Sequence, residues 1–234
     1  MRNLLLTGGV GHRFAESSST LAELFRELGV DTTVVEVDNW EGALQDVAQY
    51  DVLSFNALRW RMQAERYDHL RAHYFYEATE PLRRAVEQHV GNGRPLFALH
   101  TSCICFDDWA RWGDILGACW DWDRSFHPVH ADVHFRVGDT ETTFADEVYH
   151  GLRVVDHDLV PWAFGRVDPT ATAQNAPPLG AGGVGDEQVV MWGRNEGSAR
   201  VGVDTMGHDA RSLNTASHRK RLVELLSWLI DTGV

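Results

Sequence analysis

The sequence predicts a single α/β domain over residues 1–234, a three-layer sandwich around a mostly parallel sheet. Three observations carry that expectation. Short apolar runs alternate with amphipathic stretches through the N-terminal half, the order that builds parallel sheets covered by helices. The runs stop at glycine or at polar residues, as strands do where they leave a buried sheet. A hydrophobic content of 44% over 234 residues suffices for a substantial core without disulfide or metal staples.

Residues 3–7 are an apolar run ending in Gly8-Gly9, a buried strand feeding a glycine loop. A helix follows: Thr20 and Glu23 have the spacing of a capping box, Leu21, Leu24, Phe25 and Leu28 make one apolar stripe, and Gly29 can close it. Residues 32–37 are rich in β-formers, and 51–55 form a third strand with Asn56 just past its end. The stretch 59–90 carries Trp60, Tyr67, Tyr74, Phe75 and Tyr76. Its later part is a helix, with Pro81 in the first turn and Leu82, Ala85, Val86 and His89 on one face. Residues 96–99 make a fourth strand that stops at His100. In the second half, strands are expected at 129–137, 152–155, 188–192 and 199–203, the last two joined as a hairpin. A closing helix buries Leu222, Leu225, Leu226 and Leu229, and residues 168–185, rich in Pro, Gly, Ala and Asn, read as a mobile excursion. No internal repeat or linker divides the chain.

The formal charge of −13 repels phosphate backbones and anionic membranes, so neither nucleic acid nor membrane is expected as a partner. The dense basic stretch 218–221 opens a helix and reads as a solvated face. No run approaches the roughly 18–20 apolar residues of a membrane span, and the first apolar run is too short for a signal peptide. Cys103, Cys105 and Cys119 are odd in number and closely spaced, which is no disulfide framework and fits a cytoplasmic location. A homo-oligomer is compatible with the sequence.

Several motifs carry chemistry. The Gly8-Gly9-Val10-Gly11-His12 loop lets a ligand approach the backbone at the carboxyl edge of the sheet, where open α/β folds bind ligands, but it is not the GxGxxG dinucleotide fingerprint. His100 stands at a strand end facing the same crevice, either as a site residue or as a histidine bonded to loop backbone. His130, Asp132 and His134 alternate onto one face of a strand and could hold zinc, although any half-exposed strand shows that alternation, and His127 and His130 could serve the site singly. Gly207 suggests a turn presenting His208, with Asp209 close enough to fix its tautomer. Asp156 and Asp158 end a strand and flank His157, an arrangement suited to acid–base work or to an ordinary turn. Trp109, Trp112, Trp120 and Trp122 are core material or, since indoles stack on sugar rings, a carbohydrate platform.

Taken in order, the glycine loop with His12, Ala98-Leu99-His100-Thr101, Trp112 with Leu116-Gly117, His127-Pro128, Asp156 and Gly207-His208-Asp209 resemble the ThuA-like (trehalose utilisation) family, across roughly residues 4–228. The resemblance implies a flavodoxin-like, class I glutamine amidotransferase-like fold and a role in catabolism of trehalose, related disaccharides and their oxidised (keto) derivatives. It equates His100 with a strand-end histidine, His208 with the histidine of a Gly-His-Asp turn, and Asp156 with the first acid of an Asp-Glu pair whose second place is His157 here. Residues 140–146 stand where the family has a His-Pro segment. Amidotransferases of this fold carry a cysteine nucleophile where His100 stands. Cys103 and Cys105 come three and five residues later, without elbow glycines, so glutamine amidotransferase activity is not expected.

The expected function is that of a cytoplasmic hydrolase, lyase or isomerase acting on a sugar or keto glycoside. His100, His208 and Asp156 would be catalytic, and His12, Asn56, Trp112, His130 and Asp209 would bind substrate. A second version adds a divalent metal (Zn, Mn or Fe) on His100, His130 and His208. The rival is a non-catalytic carbohydrate-binding or regulatory module on the same fold.

Overall fold

The structure, a computed structural model, describes residues 1–156, 158–170 and 182–231. His157 and most of the excursion expected at 168–185 lie outside the described residues. Strand β1 (Arg2–Gly9) leads into α1 (Phe14–Glu27), β2 (Asp31–Glu36), α2 (Trp40–Gln45), β3 (Val52–Leu58), α3 (Asp68–Tyr74), α4 (Glu80–Gly91), β4 (Leu96–Leu99) and α5 (Ala110–Leu116). Then come β5 (Ala118–Cys119), β6 (Ala131–Val137), β7 (Thr140–Asp146), β8 (Arg153–Val154), β9 (Val160–Val167), β10 (Gln188–Glu196), β11 (Ala199–Asp204), α6 (Ala210–Leu213) and α7 (Ala216–Ile230).

The main sheet runs β2-β1-β3-β4-β11-β10-β9-β6-β7. Its first five strands are parallel and have the flavodoxin-type order, while β10, β9, β6 and β7 extend it antiparallel. Period-2 alternation divides the core between the two faces. Leu4, Leu6, Leu53, Phe55, Leu96 and Ala98 meet Trp40, Leu82, Val86, Trp112 and Ile115 from α2, α4 and α5. Leu5, Val52, Phe97 and Leu99 meet Leu21, Leu24, Phe25, Leu222 and Leu225 from α1 and α7. This is the three-layer α/β sandwich the alternation predicts.

Several elements differ from the sequence reading. Helix α1 begins at Phe14, so Thr20 lies inside it and its hydroxyl donates to the Glu16 carbonyl rather than capping a terminus. The strand expected at 129–137 pairs with β7, drawn from residues that carry almost no apolar alternation. The strand expected at 152–155 shrinks to β8, which pairs with β5 outside the main sheet. Strand β9 has no clear sequence signature because Pro161 and Gly165 interrupt it; the proline is tolerated because it lies beyond the residues that pair with β6 and beside an irregularity in β10.

The parallel strands aim their carboxyl ends at one edge, and one glycine sets how closely two of them approach there. A Cβ on Gly9, where φ is +135°, would lie 2.3 Å from the Leu58 carbonyl oxygen, so only glycine lets β1 run this close to the end of β3 before turning toward His12. Among the described residues no helix is long and apolar enough to cross a membrane.

Candidate active site

Four side chains from separate segments converge at this edge. His12 comes from the loop after β1, His100 from the end of β4, Glu147 from the end of β7, and His208 from the turn after β11. One ligand atom from each lies within 4.8 Å of all the others, the sole such grouping of His, Cys, Asp and Glu among the described residues.

His100 is held hardest. Its φ of +49° is a left-handed conformation that non-glycine residues adopt at a cost and mostly where surroundings enforce it. Its Nδ1 lies 2.8 Å from the Thr205 carbonyl, which can only accept, so Nδ1 carries the proton and Nε2 presents a lone pair to the cluster. Around that nitrogen stand His12 Nε2 at 3.2 Å, the Tyr149 hydroxyl at 3.1 Å and Glu147 Oε2 at 3.6 Å. Burial, reinforced by His12, pushes the His100 pKa down to about 3, so the ring is neutral. Burial lowers that of His12 as well, followed by the neighbouring His208.

Glu147 is 7% exposed and faces three imidazoles: His208 Nδ1 at 3.3 Å, and His100 Nε2 and His127 Nδ1 each at 3.6 Å. Burial alone would raise its pKa, but His208, His100 and His127 outweigh this and hold it at about 2. The same contact with Glu147 raises the pKa of His208. Burial keeps the Tyr149 hydroxyl protonated. The set therefore offers one carboxylate and three imidazoles, a donor set that suits Zn²⁺, Mn²⁺ or Fe²⁺.

A cavity of about 420 Å³ opens beside the cluster. His12, Glu147 and His208 form one part of its lining, and Trp60, Tyr67, Trp120, Trp122 and Tyr149 form an aromatic part. Trp60 and Trp122 lie 5.8 Å apart at an interplanar angle of 20°, with Tyr67 edge-on to Trp60 at 5.2 Å. A second, polar cavity of about 510 Å³ shares Gly11, His12 and His208 and adds Arg13, Glu16, Asp209 and Arg211.

The other expected site residues are placed differently. Asp156 does not join the cluster: it pairs with Arg194 at 2.7 Å, beside the last turn of α5, and the acid that reaches the histidines is Glu147. Glu147 is preceded by Asp146, so an Asp-Glu dipeptide stands at the end of β7, a strand without an apolar signature in the sequence. Asn56 is buried and donates to the hydroxyls of Ser17 and Ser18 at 2.8 and 2.9 Å, so it ties β3 to α1 rather than meeting a ligand. Trp112 is core: its indole N–H donates to the Ser102 carbonyl at 2.9 Å and its ring packs on Phe55 and Phe106. Asp209 caps α6, accepting from the amides of Arg211 and Ser212.

His130 is exposed and its ring centroid lies 4.9 Å from that of His208, next to the cluster but not in it. His134 instead pairs with Glu141 at 3.1 Å, so the face expected to hold metal in β6 does not form a ligand set. Cys103 and Cys105 are buried, with their thiols near the His100 and Ala57 carbonyls, and burial pushes both thiols up, Cys105 to about 12. Neither lines the cavity beside His100.

Three buried histidines make acid stability predictable. Burial lowers His89 and His150 to about 4 and His100 to about 3, and neither ring nitrogen of His150 has a partner among the described residues. The unfolded chain takes up protons near pH 6.5 that the native state refuses, so this stabilisation is full above pH 6.5 and is lost as the pH falls through the folded values. His89 and His150 should each cost on the order of 3 kcal/mol between pH 6.5 and 4. Glu147 adds a loss of the same sign below about pH 4.5, whereas the raised His208 and His218 lose stabilisation only as pH climbs above 6.5. Urea midpoints measured from pH 7 to 4 should fall steeply, and a flat profile would contradict neutral burial of these rings.

No protein-family model matches the sequence, and a search of curated proteins finds no match. Solved structures do match. A protein described as ThuA-like from Parabacteroides merdae aligns over 100% of this chain and 90% of its own, with a TM-score of 0.74 and 15% identity. A second protein so described, from Bacteroides uniformis, covers 99% and 92% with a TM-score of 0.61 and 13% identity. A cytoplasmic protein of Salmonella typhimurium covers 98% and 99% with a TM-score of 0.61 and 9% identity. The chain thus shares, along its whole length, the fold of proteins described as ThuA-like.

Proposed function

We propose that this chain is a carbohydrate-active enzyme that takes a sugar or an oxidised (keto) glycoside into the aromatic cavity and acts on it at His12, His100, Glu147 and His208, which together hold a divalent transition metal. The observation that carries the reading is the opening of this ligand set directly onto a cavity walled by indole and phenol rings. The fold likeness to ThuA-like proteins agrees with a role in sugar utilisation.

When bound, the metal would polarise a carbonyl or lower the pKa of a water molecule. The chain's own residues supply the rest. Trp60, Tyr67 and Trp122 line the cavity, and Trp122, the exposed one of the two stacked indoles, offers a ring face of the kind that packs on the apolar face of a pyranose. The indole N–H groups of Trp60 and Trp120 are buried without a hydrogen-bond partner among the described residues, so a ligand hydroxyl would satisfy them. Tyr149 keeps its proton and can donate it at the cluster. His127 donates Nδ1–H to the Pro128 carbonyl at 2.9 Å, which fixes its tautomer beside Glu147.

Elemental analysis of protein purified without an affinity tag, followed by product analysis on a panel of disaccharides and their keto derivatives, tests the reading. About one Zn, Mn or Fe per chain, with turnover abolished by chelation, is the expected result. Turnover indifferent to chelators and a metal-free protein would sink the metal assignment, and binding without conversion would favour the non-catalytic module. Trp122→Ala should raise KM about tenfold with little change in kcat, since one aromatic face contributes about 1.4 kcal/mol to binding. An unchanged KM would remove the stacking role.

A further inference from the structure

Below the cluster runs a chain of buried polar groups that the proposed chemistry does not use. Asp204 ends β11, Ser212 lies in α6 and His218 in the first turn of α7, and all three are at most 2% exposed. His218 Nε2 is 2.8 Å from Asp204 Oδ2, and its Nδ1 is 3.1 Å from both the hydroxyl and the carbonyl oxygen of Ser212. A carboxylate and a carbonyl only accept, so both ring nitrogens donate and His218 is an imidazolium. Its ring stacks on Phe144 at 5.4 Å. The Ser212 hydroxyl donates in turn to Asp146.

Asp146 is where this chain meets the site. Its carboxylate accepts from the backbone amides of Glu147 at 2.7 Å, Gly207 at 2.8 Å and His208 at 3.2 Å. One buried carboxylate thus grips the backbone of two of the four cluster residues, which follow the central strand β11 and the edge strand β7 of the nine-stranded sheet. Two buried carboxylates and one imidazolium are expensive to desolvate, and apolar packing of the same volume is often more stable. What the arrangement supplies is geometry.

We propose that Ser212 and His218 are positioning residues: the chain Asp204–His218–Ser212–Asp146 locks the Glu147 backbone to the His208 turn, so that their side chains meet a divalent metal in one fixed arrangement. The inference rests on the metal reading above for its ligand but not for its geometry. It explains why so much buried charge lies outside the cavity, and it assigns to α6 and α7 a part in a site that neither helix touches with a ligating residue.

The test is a Co²⁺ titration of untagged protein together with amide hydrogen exchange of the metal-free form. Ser212→Ala removes the hydroxyl link with the smallest change in volume. It should weaken Co²⁺ binding about 10- to 100-fold, the usual effect of losing an outer-shell partner, and shift the d–d absorption of the bound ion. In the metal-free protein, the amides of Gly207 and His208 should exchange at least about tenfold faster. His89→Gln, a buried histidine bonded to the Pro95 carbonyl away from the cluster, should lower the melting temperature while leaving Co²⁺ affinity and those two amides unchanged. Wild-type exchange at Gly207 and His208 in Ser212→Ala would overturn the positioning role. Failure of the natural protein to bind Co²⁺ would instead overturn the metal reading, and the exchange rates would still decide the positioning.

Discussion

Glu147→Gln should bind zinc or manganese about 100-fold more weakly than the natural chain, at the upper end of what even an outer-shell partner is worth, and should lose turnover with it. Glutamine preserves the shape of the side chain and leaves an oxygen to accept from His208, so the fold should survive. What it removes is the only carboxylate of the cluster, and with it the charge that offsets a cation in a site where Glu147 is 7% exposed. A second consequence is independent of metal. Glu147 is the first cause of the raised His208 pKa, so in the metal-free variant that pKa should fall toward the ordinary imidazole value. Metal-competition titration reads the first effect and NMR titration of the His208 ring reads the second. Wild-type metal affinity would show that the three imidazoles suffice and that Glu147 serves another purpose.

That the acid of the cluster is Glu147 marks where the sequence stops being legible. His12, His100 and His208 could be found because a parallel α/β sheet brings the ends of its strands to one edge, and each of these residues follows a run whose apolar character is unmistakable. Strand β7 has no such signature. It reads TETTFAD, lies at the sheet margin, and buries only Phe144 and Asp146, so it looks like a loop. With no strand signal there, Glu147 has no visible structural context, and Asp156, at the end of an apolar run, is the acid the sequence offers instead. The structure gives Asp156 to Arg194, which also pairs with Glu196 and donates to the Asp114 and Ile115 carbonyls at the end of α5.

The tryptophans show the same limit from the other side. Trp109 and Trp112 stack at 6.2 Å within the core, while Trp120 and Trp122 line the cavity, and nothing in local composition separates the two pairs. What separates them is the left-handed turn at Gly117, where φ is +82°, which ends α5 and sends the following segment back toward His127 and Tyr149. A Cβ there would meet Leu159 and Arg194 at 2.4 and 2.6 Å, so the turn is held by tertiary contacts that no sequence window contains.

His100 offers the second large effect, and its backbone dictates how the experiment must be done. Alanine at this position would remove the imidazole and also leave a non-glycine residue without compensating contacts at φ +49°, a conformation that costs roughly 1–2 kcal/mol. Asparagine tolerates that region, so His100→Asn separates the chemistry from the strain. Turnover should fall about 10²–10⁴-fold in both variants, the range expected when a positioned imidazole is lost. The melting temperature should fall more for alanine than for asparagine. In the natural chain, Nδ1–H of His100 bonds the Thr205 carbonyl, and Thr205 in turn donates its amide to the Val190 carbonyl at 2.8 Å. Loss of the ring therefore frees one buried acceptor without unpairing β11 from β10. If His100→Asn kept full turnover on a substrate that the natural chain converts, the lone pair at Nε2 would have no part in the reaction, and the cluster would reduce to His12, Glu147 and His208.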